Sequence, residues 1–385
     1  MANFLRITEN PQYKAEEIFK VMRDFRKGGL NPDNFDEFIS LMTELPPILS
    51  RKNEDYRTFD TLNLIDISES DLSRIFHEAF RRSMEASKKC WHPDASLENC
   101  STDKFGKIKI TAAHSIQNNG ILNRIAEKGH VMTYGYSNGV FNEKSIGKNM
   151  ASVFYGFCNT HDSTFKPIET EGYTQTAEQN FLFAYRGFIV AIHKKVEASQ
   201  LLDYGNRSDK DIEENLKIFN EAIKSNRFSD IISDVIELPS FYPIAVSSAF
   251  YLDFDFEGNP IEHSPDRMEF IFVTFFPEEK KSYFIISYFE EDKNLYQNLG
   301  RQLVRRNNLK SDITMLIASH VENIYFNPIY YDTFIKEHED KFEDILIQSQ
   351  MDIATVNKDN QISESFSITP PNYLNNEFEI NYFGY

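Results

Sequence analysis

A chain of 385 residues with 41% hydrophobic content, 34 Phe and 19 Tyr has the apolar material for two or three aromatic-rich cores. Its formal net charge of −18 argues against a general nucleic-acid binder, and its three cysteines exclude a disulfide framework. No apolar run approaches the roughly 18 residues that span a bilayer, and the N-terminus lacks the features of a secretory signal, so a reducing, cytoplasmic setting is expected.

Residues 1–89 read as a helical region. Ile18, Phe19, Met22 and Phe25 fall at helical spacing, Gly28-Gly29 stops that helix, and Asn31-Pro32-Asp33 opens the next. Ser68 to Asp71 begins a third helix, which runs basic through Arg81 and Arg82. Residues 90–170 differ, being rich in Cys, His, Asn and Gly. Ile108, Ile110 and Ala112 alternate with polar residues, as in a strand that ends at His114. Residues 121–128 suit one or two helical turns, and 137–149 read as a loop.

From 171 to 350 the pattern predicts helices over 174–202 and 211–228, then strands over 244–256, 269–276 and 282–289. Residues 277–280 join the last two strands as a hairpin turn. Helices are expected again over 294–304, 312–323 and 331–348, followed by a polar, poorly ordered tail over 351–385. The fold class expected is therefore α+β: a helical N-terminal region, a small zinc-stabilised module, and a C-terminal domain of helices with a short antiparallel sheet.

All three cysteines and four of the nine histidines (His92, His114, His130 and His161) fall within residues 90–161. Zinc takes four soft or borderline ligands in a tetrahedron, commonly from two short Cys/His segments that the fold brings together. Cys158-Asn159-Thr160-His161 has the spacing of one such knuckle. Cys90 and Cys100 supply the other pair, and His92 is a candidate to replace either cysteine. The metal set expected is Cys90, Cys100, Cys158 and His161, with zinc in a structural role.

Between these segments, Ile110-Thr111-Ala112-Ala113-His114-Ser115-Ile116-Gln117 is a strand that ends on a histidine. In that position it resembles the treble-clef core of the HNH, or His-Me finger, endonucleases, which implies a treble-clef-like form for the zinc-stabilised module. The resemblance covers about a fifth of the chain and implies metal-dependent phosphodiester cleavage. It implies His114 as the base that activates water, with Asn118, Asn119 or Asn123 in the asparagine role. His130 or Asp162 would complete a site for catalytic Mg²⁺ or Mn²⁺. The chain departs from the family in its stretched first knuckle, in Ala113 before the histidine, and in lacking an Asn-then-His pair at the expected helical distance.

The wider pattern is similar to a group of uncharacterised bacterial proteins: Cys90-x-His92-Pro93, Gly129-His130-Val131, Gly156-Phe157-Cys158, His161-Asp162 and Ser319-His320-Val321-Glu322-Asn323. Bacterial defence against foreign nucleic acid is the context the resemblance suggests, with an RNA-directed toxin as a variant of it. The competing class is a non-catalytic binding or sensor protein in which zinc is purely structural. Residues 81–169 hold 12 Lys or Arg against 8 Asp or Glu, a net of +4 that leaves −22 elsewhere. DNA or RNA is therefore expected to meet the chain there, through Arg81, Arg82, Lys88, Lys89, Lys107 and Lys109. No membrane contact is expected.

Overall fold

The structure, a computed structural model, describes residues 88–384 apart from 138–139, 200–204, 265–266, 339–340, 343–344, 346–351, 357–361 and 368–379. The helices expected over the first 87 residues lie outside the described residues.

The dominant element is a seven-stranded sheet, antiparallel throughout. Its strands are β2 (His130–Ser137), β3 (Val140–Gly147), β5 (Ile231–Leu238), β6 (Ile244–Phe250), β7 (Ile271–Pro277), β8 (Ser282–Phe289) and β9 (Ile324–Phe326), in the order β3-β2-β9-β6-β7-β8-β5. This overturns the expected fold class. In place of helices around a short sheet, one large sheet organises the described chain, and it takes two strands from the stretch expected to form a small zinc module. The hairpin of β2 and β3 occupies most of what reads in the sequence as a loop.

The centre of the sheet is buried on both faces. Along β7 and β8 every residue is buried, and successive side chains enter opposite cores: Phe272, Phe276 and Ile285 on one face, Val273, Phe284 and Ile286 on the other. A strand covered on both sides reads as a continuous apolar run without period-two alternation. Two helices, Ala177–Ser199 and Gly205–Ser225, lie on the first face. The former packs against β6 and β7 through residues that include Phe188 and Ile189, and the latter presents Ile212, Leu216 and Phe219 as an apolar stripe. Leu299–Arg305 and Leu309–His320 contribute to the core on the second face, where Ile380, Tyr382 and Phe383 are also buried. None of the described helices is long and apolar enough to cross a membrane.

A separate two-stranded ladder carries the residues of interest. In it β1 (Ile110–His114) pairs with β4 (Val153–Cys158), from Ile110 opposite Cys158 to His114 opposite Val153, with a register shift between Thr111 and Ala113. Phe154, Phe157 and Cys158 of β4 join the core formed by Phe181, Tyr185 and Phe188 of the long helix. Strand and helix approach closely at Gly156, where an added Cβ would lie 2.9 Å from Ile189 Cγ2. A third pairing, of β10 (Asp352–Val356) with β11 (Ile362–Ser367), stands apart from both sheets.

Candidate metal centre

Three chain segments deliver four ligand atoms to one point. Cys90 lies on an extended segment held beside β4, where the backbone N–H groups of Lys89 and Trp91 donate to Tyr155 O (3.3 Å) and Gly156 O (3.0 Å). Cys100 closes the following loop, its own N–H donating to Ser96 O at 3.0 Å. Cys158 ends β4 and caps a short helix, α1 (Asn159–Asp162), which carries His161 one turn further on.

His161 Nδ1 lies 3.4 Å from Cys90 Sγ, 3.5 Å from Cys100 Sγ and 3.3 Å from Cys158 Sγ. All four ligand atoms fall within 4.8 Å of one another, and all four residues are buried. Zn–S and Zn–N bonds of about 2.3 and 2.0–2.1 Å in a tetrahedron place S and N about 3.6 Å apart. The three N–S separations match that value, so the group could hold a metal ion such as zinc. Among the described residues no other His, Cys, Asp or Glu cluster has this geometry.

The electrostatics fit a cation. Burial pushes the Cys90 thiol up to about 12, against backbone N–H bonds from Cys158 and His92. Burial acts the same way on Cys158, but the backbone N–H groups of His161 and Ser101 and the Ser101 hydroxyl outweigh it and bring that thiol down to about 6. Burial raises the Cys100 thiol as well, and a metal bound there would displace the thiol protons. His92 is not in the ligand set. Its ring stacks flat on His161, with centroids 4.1 Å apart and planes at 10°, and its Nδ1 accepts from Asp94 N at 3.2 Å.

His114 stands at the far end of the same ladder and is half-buried. Its Nδ1 lies 2.9 Å from Ala151 O. A carbonyl only accepts, so Nδ1 carries the proton and Nε2 keeps a lone pair, with no hydrogen-bond partner among the described residues. Burial holds the imidazole below its usual pKa, and the charges of Arg186 and Lys148 act in the same sense.

Among the described residues, the other predicted catalytic residues make no hydrogen bond to this ring. Asn118 Nδ2 donates to Asn149 Oδ1 (3.0 Å), and its own Oδ1 is buried without a partner among the described residues. Asn123 Oδ1 accepts from Lys148 Nζ at 3.0 Å, and Asn119 is exposed. His130 is exposed, its Nδ1 3.2 Å from Lys128 O. These residues do not form a ligand set for Mg²⁺ or Mn²⁺. Asp162 lies near Arg186 and Glu169, and burial raises its pKa.

Two features of the His114 region escape the sequence reading. The first is a brace from the distant β9 region. Asn323 Nδ2 donates to Ser115 Oγ and to Ser247 O, both at 2.9 Å, and Ser152 N donates to the Tyr325 hydroxyl at 2.7 Å. Ser152 has φ of 58°, a left-handed conformation unfavourable for a residue with a side chain. It is held there because Ser115 N also donates to its carbonyl (2.8 Å) and its hydroxyl donates to Ile116 O (3.2 Å). The sequence signal was the Ser319 to Asn323 motif, which carried no assigned role. The second is Arg186, only 2% exposed, paired with Glu169 Oε1 at 2.7 Å and lying 4.2 Å over the Phe165 ring. One cation within the apolar run from Phe181 to Ile192 was its signal.

No family model matches the chain, and neither a curated protein nor a solved structure matches it.

Proposed function

We propose that Cys90, Cys100, Cys158 and His161 hold a structural zinc ion and that the chain is a zinc-stapled binding protein. The supporting observation is the closed ligand set. Four protein ligands, all buried, would fill a tetrahedron around an ion and leave no coordination position for water or substrate, as in structural rather than catalytic zinc sites. Bound there, the ion would tie the Cys90–Cys100 loop to β4 and α1. Elemental analysis of the full chain, prepared without chelator, should find one zinc per molecule. A strong chelator should remove it and loosen residues 90–109 in hydrogen exchange. Chelator-free protein containing no zinc would end this reading.

A second reading is favoured by one observation, the tautomer of His114. An imidazole fixed through Nδ1, kept neutral by burial and carrying a lone pair on Nε2 has the state required of a general base. It fits hydrolysis of a nucleic-acid phosphodiester, the chemistry implied by the HNH resemblance. Against it, Asn118, Asn123 and His130 bond to Asn149, Lys148 and Lys128 and not to His114, and for that reason the structural reading comes first. Plasmid and RNA degradation by wild type and His114→Ala, with zinc measured in both, separates the two. A base at His114 predicts a loss of about 10²–10⁴ in rate with zinc and fold retained. Equal cleavage by both proteins, or none by either, would remove it.

A further inference from the structure

Residues 101–109 form a small hairpin rooted in the metal centre. Lys109 N donates to Ser101 O (2.9 Å), Asp103 N donates to Lys107 O (2.8 Å), and Thr102 bridges Ile108. One arm grows from Cys100 and the other runs into Ile110, the first residue of β1. The Ser101 hydroxyl also accepts from Thr160 N of α1 at 3.4 Å.

The tip is held by its own polar residues. Asp103 Oδ1 accepts from the N–H groups of Phe105 (2.8 Å) and Lys107 (3.0 Å), and Gly106 takes the left-handed conformation (φ 75°) while donating to Asp103 O at 3.0 Å. Asp at the start of such a turn and Gly at its end meet the backbone demand. Nothing in the turn requires the second of the two residues between them to be aromatic. Yet Phe105 occupies it at 76% exposure, more than any other exposed large hydrophobic residue among those described. Lys104 Nζ lies over the Phe105 ring, 4.9 Å from its centroid, and Lys104, Lys107 and Lys109 are all exposed, so a stacking base would take that face from the Lys104 ammonium or use the other one. These nine residues carry three lysines against Asp103, a net of +2 on a chain of −18.

From this geometry we infer that the hairpin is a finger for single-stranded nucleic acid. Phe105 stacks on an unpaired base, and Lys104, Lys107 and Lys109 bind the flanking phosphates. A lone exposed ring beside cations suits this ligand because every base has an apolar face and every link a negative charge. A duplex fits less well. Its base faces are already stacked, and a tip one side chain wide does not fill a major groove about 12 Å across. The inference does not depend on cleavage at His114.

The test uses the full-length protein and fluorescence anisotropy with labelled oligothymidylate, oligouridylate and a mixed-sequence duplex. Wild type should bind the single strands more tightly than the duplex. Phe105→Ala should weaken single-strand binding about 5- to 150-fold, the range for loss of one base–aromatic stack, and Phe105→Trp should retain it. Replacing Lys104, Lys107 and Lys109 together by alanine should reduce the slope of log affinity against log salt by about 2. Metal content is measured for each variant. If wild type lacks zinc but Phe105→Ala still shows the loss, the zinc reading falls and the finger stands. Equal affinity for duplex and single strand, an unchanged Phe105→Ala variant, or binding to phosphatidylserine vesicles in place of oligonucleotides would overturn it.

Discussion

Replacing Cys100 by serine keeps the size of the side chain but substitutes a poor zinc ligand for a thiolate, so it tests what holds residues 88–109 in place. Without a metal, the described backbone bonds from this segment to the rest of the fold are those of Lys89 and Trp91 to β4, at 3.3 and 3.0 Å. Each contributes about 1 kcal/mol. The Tyr185 hydroxyl adds a bond to Trp91 O at 3.3 Å, and Trp91, Ala95 and Ile108 are only partly buried. A structural zinc contributes on the order of 10 kcal/mol or more. The bond from Thr160 N to Ser101 Oγ at 3.4 Å and the stack of His92 on His161 add to these, and the metal term still exceeds the hydrogen bonds that remain.

Cys100→Ser should accordingly lose its zinc and release the segment while the seven-stranded sheet stays folded. Hydrogen exchange read by mass spectrometry should show fast exchange at the amides of Ala95, Cys100 and Lys109, which are bonded in the intact loop. Peptides from β7 and β8, buried along their whole length, should keep wild-type protection. A variant that retained zinc and loop protection would refute the reasoning. So would one in which loop and sheet lost protection together, since the metal would then be supporting the whole fold.

Three other changes have defined outcomes. Burial pushes His320, stacked on Phe250, down to about 4. The unfolded chain then takes up a proton below about 6.5 that the folded chain refuses until about 4, so stability is complete above that window and falls as pH drops through it, by at most about 3 kcal/mol. Urea midpoints of His320→Gln should vary less with pH than those of wild type. Tyr325→Phe leaves the buried Ser152 N–H without its acceptor and should cost about 1–3 kcal/mol in urea denaturation. Gly156→Ala puts a methyl 2.9 Å from Ile189 Cγ2 and 2.5 Å from the Phe154 ring, and should lower stability by about 1–3 kcal/mol.

What the sequence disclosed followed the range of the forces involved. Cys158 and His161 are one helical turn apart, so their spacing alone announces a shared ligand. Cys90 and Cys100 were found only by chemical type, and the exclusion of His92 rests on a ring stack that spacing does not encode. Strands β7 and β8 were legible as unbroken apolar runs. The β2–β3 hairpin was not, although Asn138-Gly139 between Ser137 and Val140 is the usual composition of a two-residue turn. Asn142, Lys144, Ser145 and Gly147, which follow that dipeptide, have low strand propensity. With only three residues, β9 is too short for any period to emerge, yet it sits between β2 and β6.

The position of β9 changes what the His114 region is. A two-stranded ribbon such as β1–β4 is marginal alone, and this one is secured at both ends by different means. At the Ile110–Cys158 end an ion held by Cys90, Cys100, Cys158 and His161 would grip Cys158, and the loop from Cys100 feeds into Ile110. At the His114–Val153 end the grip comes from some two hundred residues away, through Asn323 on Ser115 and Tyr325 on Ser152. The Thr133 hydroxyl, donating to Ile324 O at 2.6 Å, fastens β9 to β2 in the same region. Metal loss should therefore loosen the ribbon from the Ile110 end, and Tyr325→Phe from the His114 end. Whatever His114 does, its setting depends on the large sheet as well as on the metal centre, so a fragment confined to residues 90–170 would keep the four metal ligands but lose the brace behind its histidine.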